Sequence, residues 1–126
     1  MIAAVVALAT PTAALACRCR TRTPAETFRV ADAVVLARVE AAVDLGRVRR
    51  FRLTVSEAWK GARPGRIAIT IARASCFEDL AVGRDYLLYL QAGSDGSLVT
   101  NRCFGNLPAE RAGERLRALR TPATRR

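Results

Sequence analysis

The sequence predicts a mainly β domain: a small barrel of five short strands, with one short helix before it and another after it. Three observations carry that expectation. Apolar residues recur at every second position in three stretches between Ala33 and Ile71, the period of a half-buried strand. Gly, Pro, Asp and Ser gather between the stretches, where the chain has to turn. A capping box precedes the first strand, and apolar residues at helical spacings of three and four follow the last.

The chain begins with an uncharged segment, residues 1–16, in which Ile2 to Leu8 form a short apolar run. It ends in Ala14-Leu15-Ala16, the small-x-small pattern after which signal peptidases cut. No Lys or Arg precedes the apolar run, so the positive start of an ordinary signal peptide is missing. The run is also too short to cross a membrane as a helix, which takes about 20 apolar residues. We read 1–16 as a signal peptide. Cleavage after Ala16 would start the mature chain with a free α-amino group on Cys17, in a secreted, periplasmic or cell-envelope protein. The rival is a lipoprotein signal with Cys17 acylated, which would anchor the chain to lipid. Leu15 directly before Ala16, and Ala14 where leucine is usual, make that a poor match. No later stretch is long enough to span a membrane.

Thr23-Pro24-Ala25-Glu26 is the capping box, with Thr as N-cap, Pro at the first helical position and Glu at the third. It predicts a helix from Pro24 to about Val30 that buries Phe28. A strand from Ala33 to Val43 follows, with Val35, Ala37, Val39, Ala41 and Val43 on one face and Arg38 and Glu40 on the other. Asp44-Leu45-Gly46 turns the chain. In the second strand Phe51, Leu53 and Val55 alternate with Arg50, Arg52, Thr54 and Ser56, and it runs out near Trp59-Lys60-Gly61. Ile67, Ile69 and Ile71 give a third strand, and Cys76 lies in the connection after it. Tyr86 to Leu90 reads as a fourth strand, Gly93 to Gly96 as a hairpin-type loop, and Leu98 to Thr100 as a short fifth strand before Cys103. From Pro108 the chain is helical, with Ala109, Ala112, Leu116 and Leu119 on one face and Gly113 weakening the helix by up to ~1 kcal/mol. Thr121 to Arg126 reads as a frayed basic end. Five strands flanked in this way suggest a closed or partly open barrel of the OB type.

Composition excludes much chemistry. There is no histidine, which removes His-based acid–base catalysis, Cys/His triads and the commonest zinc ligand. Glu78-Asp79 are the only adjacent carboxylates, and they read as a solvated turn without a partner. We therefore read the chain as no enzyme and expect no cofactor. The formal net charge of +10, with Lys60 the sole lysine, is compatible with nucleic acid, an anionic membrane surface or acidic proteins. Arginine is nevertheless spread along the whole chain, with no run of five basic residues, as a GC-rich coding sequence would produce.

Four cysteines remain: Cys17, Cys19, Cys76 and Cys103. They allow three pairings, and spacing alone does not rank them. In an oxidising compartment disulfides are the default. A four-thiolate zinc site ranks behind them, because no Cys-x2-Cys pair is present, and a thioredoxin-like redox pair fails on the same ground. A bond between Cys17 and Cys19 would strain a Cys-x-Cys ring, so each is expected to reach a distant partner. Two such bridges would brace a small barrel without any further function. They would also hold the N-terminal end, which most domains leave loose.

Cys17-Arg18-Cys19 after a cleavage site, followed by Ala31-Asp32-Ala33-Val34-Val35-Leu36-Ala37-Arg38-Val39, resembles the opening of the tissue inhibitors of metalloproteinases, the TIMP family. The order of Cys76 and Cys103 agrees, and the Trp59-Lys60-Gly61 end of the second strand resembles short bacterial-type members of the group. The resemblance covers about residues 17–106, leaving 107–126 as a C-terminal helix and basic tail. It implies a netrin-like barrel of the OB type, the pairings Cys17–Cys76 and Cys19–Cys103, and a partner that is a zinc metalloprotease. In that family the amine and carbonyl of the first cysteine, here Cys17, chelate the partner's catalytic zinc. Arg18, Cys19, Arg20, Ala74, Ser75 and Cys76 would then contact the protease. Arg18 stands where the family usually has Thr or Ser entering the primed-side pocket, so a target would need a deep or acidic pocket. The family's third barrel disulfide and its C-terminal subdomain have no counterpart here.

Two further classes compete with a monomeric protease inhibitor. One is a disulfide-braced envelope or extracellular interaction module that inhibits nothing. The other is a basic nucleic-acid binder, which export and the shortage of free aromatic residues argue against: of Phe28, Phe51, Trp59, Phe77, Tyr86, Tyr89 and Phe104, several read as core. We expect no nucleic-acid partner.

Overall fold

The structure is a computed structural model that describes residues 2–7 and 17–122. The expected cleavage site and the last four residues lie outside the described residues, and residues 2–7 form neither helix nor strand. The molecule is mainly β. Helix α1 (Pro24–Val30) leads into β1 (Ala33–Asp44), β2 (Val48–Lys60), β3 (Gly65–Ala72), β4 (Asp85–Ala92), β5 (Leu98–Val99), β6 (Leu107–Pro108) and helix α2 (Gly113–Arg120).

The sheet closes on itself in part. β1 pairs antiparallel with both β2 and β4, and β2 pairs antiparallel with β3. The short β5 joins the free sides, lying parallel to β3 through Ile69–Leu98 and Thr70–Val99 and antiparallel to β4. Five strands thus run round as a partly closed ring in the order β1-β2-β3-β5-β4. A sixth, β6, pairs with β4 on the edge away from β1, farther along it than β5, through Tyr86–Pro108 and Leu87–Leu107. The sequence predicts five strands and a fifth running to Thr100; β6 is an addition, and β5 stops at Val99.

Two apolar clusters explain the strand patterns. Inside the ring, Val35, Ala37 and Val39 meet Phe51, Leu53, Val55, Ile69, Ile71, Leu88 and Leu90. On the outside of β1 and β4, Val34, Leu87 and Tyr89 pack against Ala31, Ala112 and Leu116, with Phe28, Trp59 and Leu119 around them. β4 is therefore covered on both faces, which is why Tyr86 to Leu90 are apolar without alternation. α2 covers this second cluster with Ala112 at its N-cap and Leu116 on its inner face.

Four expectations are corrected. Register shifts between Val39 and Ala41 put Ala41 opposite Arg52 and Val43 opposite Arg50, on the outer face, while Ala42 opposite Phe51 packs on the core. Val43 is accordingly exposed. Such a bulge reverses the side-chain parity of everything after it. In α1 the fully buried side chain is Thr27, and Phe28 is only half-buried. The helix expected from Pro108 begins instead as a 3-10 turn, Ala109–Arg111. Gly113 is the first residue of α2, where the helix-interior penalty does not apply.

Candidate functional site

The site is built around an arm, residues 17–22, that precedes α1. Thr23 Oγ1 accepts from the Glu26 N–H at 3.2 Å and starts the helix, which is the N-cap half of the capping box; the reciprocal bond from the Thr23 N–H to the Glu26 carboxylate is not formed among the described residues. Lys60 fixes the other end. Its ammonium donates to the Phe28 and Arg29 carbonyls at 3.0 Å each, satisfying open acceptors in the last turn, and lies 5.3 Å from the centre of the Phe28 ring. The next residue, Gly61, has φ +65°, and a Cβ there would fall 1.9 Å from the Asp32 carbonyl oxygen. Only glycine lets the end of β2 approach the α1–β1 junction this closely. Asp32 ties the junction to β4, its N–H donating to Leu90 O and its carboxylate accepting from the Ala92 N–H, both at 2.8 Å.

The arm itself is held by sulfur. Cys17 is bonded to Cys76 and Cys19 to Cys103, with Cα atoms 4.9 and 5.0 Å apart. These are the two pairs that the resemblance implies. Closing loops with separations of 59 and 84 residues stabilises a fold, on a chain-entropy account, by about 4 to 4.5 kcal/mol apiece. The bridges touch: the Cys17 and Cys103 sulfurs lie 3.4 Å apart, those of Cys76 and Cys103 3.6 Å, and those of Cys17 and Cys19 3.8 Å. With no thiol hydrogen present, these are sulfur–sulfur contacts between two stacked bridges. Among the described residues the arm up to Arg22 makes no hydrogen bond or ion pair to the rest of the domain, although Arg22 is half-buried.

The partners of the arm sit on two loops fastened to each other. The connection after β3 folds through Phe77 N–H to Ala74 O at 3.0 Å. Arg73 lies 2.9 Å from Asp44 and stacks 4.9 Å from the centre of the Phe77 ring. Hydrogen bonding from the Gly46 N–H, and then from Arg73, holds the Asp44 carboxyl below the usual carboxylate range. From the second loop, a 3-10 turn (Arg102–Phe104), the Arg102 N–H donates to Cys76 O at 3.0 Å and its guanidinium to Phe77 O at 3.1 Å. Asn101 Oδ1 caps that turn by accepting from the Cys103 N–H at 2.8 Å.

Behind both loops lies a polar knot that the sequence does not announce. Asn106 accepts from the Tyr89 N–H at 2.8 Å and donates to Glu78 Oε1 at 2.8 Å and Thr100 Oγ1 at 2.9 Å. Thr100 is buried and its hydroxyl donates to Tyr89 O at 2.8 Å. Burial pushes the Glu78 carboxyl above its usual range, against the opposing pull of Asn106 and Arg102. Asp79 lies 3.1 Å from Arg49 Nε in a charge contact without hydrogen-bond alignment. The expectation of a solvated, partnerless Glu78-Asp79 turn is therefore corrected: Glu78 anchors the Cys76 loop to the Cys103 loop, and Asp79 has a cation. A lone Asn after a Gly, as in Gly105-Asn106, is the only sequence signal that could have pointed to the knot.

The remaining site residues are surface. Arg18 and Arg20 are exposed and carry no ion pair among the described residues, and Ala74 and Ser75 are exposed beside Cys76. Ala72, Ala74, Cys76 and Asn101 line part of a shallow cleft of about 220 Å³ at the same end of the ring. The structure thus brings all four cysteines and the 74–76 segment together, and it leaves Arg18 and Arg20 free to meet another molecule. No helix among the described residues is long and apolar enough to cross a membrane. No protein-family model matches the chain, and no curated protein matches it.

Proposed function

We propose that the chain is an exported TIMP-like inhibitor of a zinc metalloendopeptidase, with a barrel of the OB type that presents Cys17 to the target's metal. The ring order and the parallel contact of β5 with β3 support the barrel assignment. The observation that carries the function is the arm: two touching disulfides fasten Cys17 and Cys19 to adjacent loops, while Arg18 and Arg20 between and beyond them stay exposed. A structural brace has no need to pin the first residues of a mature chain so closely.

The chemistry follows from cleavage after Ala16. A catalytic zinc keeps one coordination position open for water. The Cys17 amine nitrogen and the Cys17 carbonyl oxygen can close a five-membered chelate at that metal and displace the water. An α-amine has a pKa of about 8, so it must shed a proton, and metal binding drives that loss near neutral pH. The bridges order the arm in advance, which lowers the entropy lost on binding. Arg18 would enter the pocket beside the metal, favouring targets with an acidic one.

The test begins with protein whose N-terminus is shown by intact mass to be unmodified Cys17. On this reading it inhibits at least one secreted zinc endopeptidase in a broad panel, and acetylating the α-amine removes the inhibition. If the panel is untouched, the disulfide-braced interaction module is the better account.

A further inference from the structure

We propose that, when the two bridges are reduced, Cys17, Cys19, Cys76 and Cys103 together form a tetrathiolate zinc site. The first support is geometric. Zinc binds thiolate sulfur at about 2.3 Å, and tetrahedral angles then set the sulfurs about 3.8 Å apart. Sulfurs from the two different bridges already stand at 3.4, 3.6 and 3.8 Å. The sulfurs of Cys17, Cys76 and Cys103 already lie within 4.8 Å of one another, so the two bonded pairs have to separate and Cys19 has to close on Cys76.

The second support is that half of the site does not depend on the bridges. Cys76 and Cys103 are placed by the Arg102 N–H on Cys76 O, by Asn101 Oδ1 on the Cys103 N–H, and by the Asn106–Glu78 contact behind them. None of those hydrogen bonds uses a cysteine sulfur. The other half is a Cys-x-Cys pair whose sulfurs lie 3.8 Å apart. The missing Cys-x2-Cys spacing is therefore made good by tertiary structure.

The third support is charge. Four thiolates on one Zn²⁺ leave two negative charges. Arg18 and Arg20 flank the arm cysteines without an ion pair among the described residues, and Arg102 precedes Cys103. Positive charge on residues adjacent in sequence to three of the four cysteines favours the anionic cluster.

The reaction balances with a dithiol as reductant. Each disulfide takes two electrons and two protons from one dithiol, which becomes its own disulfide. The four thiols then release four protons as Zn²⁺ binds. Because residues 17–22 make no hydrogen bond or ion pair to the rest of the domain among the described residues, the metal would take over the tether that the bridges provide under oxidising conditions.

The experiment uses the full chain, reduced with dithiothreitol, freed of reductant without oxygen and titrated with Co²⁺. One Co²⁺ per chain should bind, with the thiolate-to-metal charge-transfer and intense d–d bands of a tetrahedral tetrathiolate, and Zn²⁺ should displace it. Cys19→Ser should weaken binding by at least the roughly 10–100-fold that loss of an outer-shell partner alone produces. If reduction unfolds the chain, one equivalent of Zn²⁺ should restore the circular dichroism of the oxidised protein. No uptake, a spectrum of two thiolates, more than one metal per chain, or uptake without recovery of the fold would each overturn the proposal.

Discussion

Asn106 Nδ2 and Glu78 Oε1, 2.8 Å apart, join the loop that carries Cys76 to the segment that follows Cys103. The contact lies on the loops that receive the arm, not on the arm. It joins those loops without using a cysteine sulfur, alongside the Arg102 bonds to Cys76 O and Phe77 O.

Removing Asn106 should therefore be felt in stability first. Asn106→Ala strands the Tyr89 N–H and leaves Glu78 half-buried with its partner gone. We expect a loss of about 1–3 kcal/mol in urea denaturation, the range for an unsatisfied buried polar group.

Glu78→Gln should behave differently, and the sign follows from its raised pKa. A carboxyl held above its unfolded value binds its proton more readily in the folded state, so stability falls as pH rises through that window. Glutamine keeps the acceptor for Asn106 and abolishes the charge. Its stability should therefore lack the decline expected of the native chain just above the usual carboxylate range. An unchanged slope of stability against pH would contradict this.

Gly61 and Gly46 provide a matched pair. Both have positive φ, +65° and +85°, but a Cβ at Gly46 meets nothing within 4 Å, whereas one at Gly61 meets Asp32 O. Gly46→Ala should cost about 1–2 kcal/mol, from the left-handed backbone alone. Gly61→Ala should cost clearly more, because the Asp32 junction has to open. Thermal melts of the two variants side by side decide it.

The bulge in β1 gives a third comparison and shows where sequence reading stops. The alternation Val35, Ala37, Val39 names the inner face correctly, because a half-buried strand with period two leaves few choices. Its continuation to Ala41 and Val43 fails, because the bulge depends on β2, and no residue of β1 marks it. Ala42→Asp should therefore be severely destabilising and Val43→Asp nearly neutral, the reverse of what the uninterrupted alternation predicts. β4 was legible as a strand from its apolar run, although the run cannot say that α2 covers its second face. β6 was not legible at all, since Leu107–Pro108 is two residues long and contains a proline. At the site, the cysteines and the exposed arginines are visible in the sequence. The pairing came only through resemblance, and the Asn106–Glu78–Thr100 knot, made of single polar residues far apart in sequence, needed the fold.

The central claim is that the Cys17 amine and carbonyl together occupy a partner's zinc. The measurement that tests it most directly is the inhibition constant of two chains against one susceptible zinc endopeptidase, one beginning at Cys17 and one with a single alanine before it. Both should fold alike, with Cys17–Cys76 and Cys19–Cys103 found in each by non-reducing peptide mapping. The alanine turns the Cys17 nitrogen into an amide, a poor zinc ligand, and carries the new amine away from the carbonyl. The account predicts that inhibition collapses in the extended chain, while Arg18→Ser only changes which proteases are bound. Equal inhibition by the two chains would contradict it.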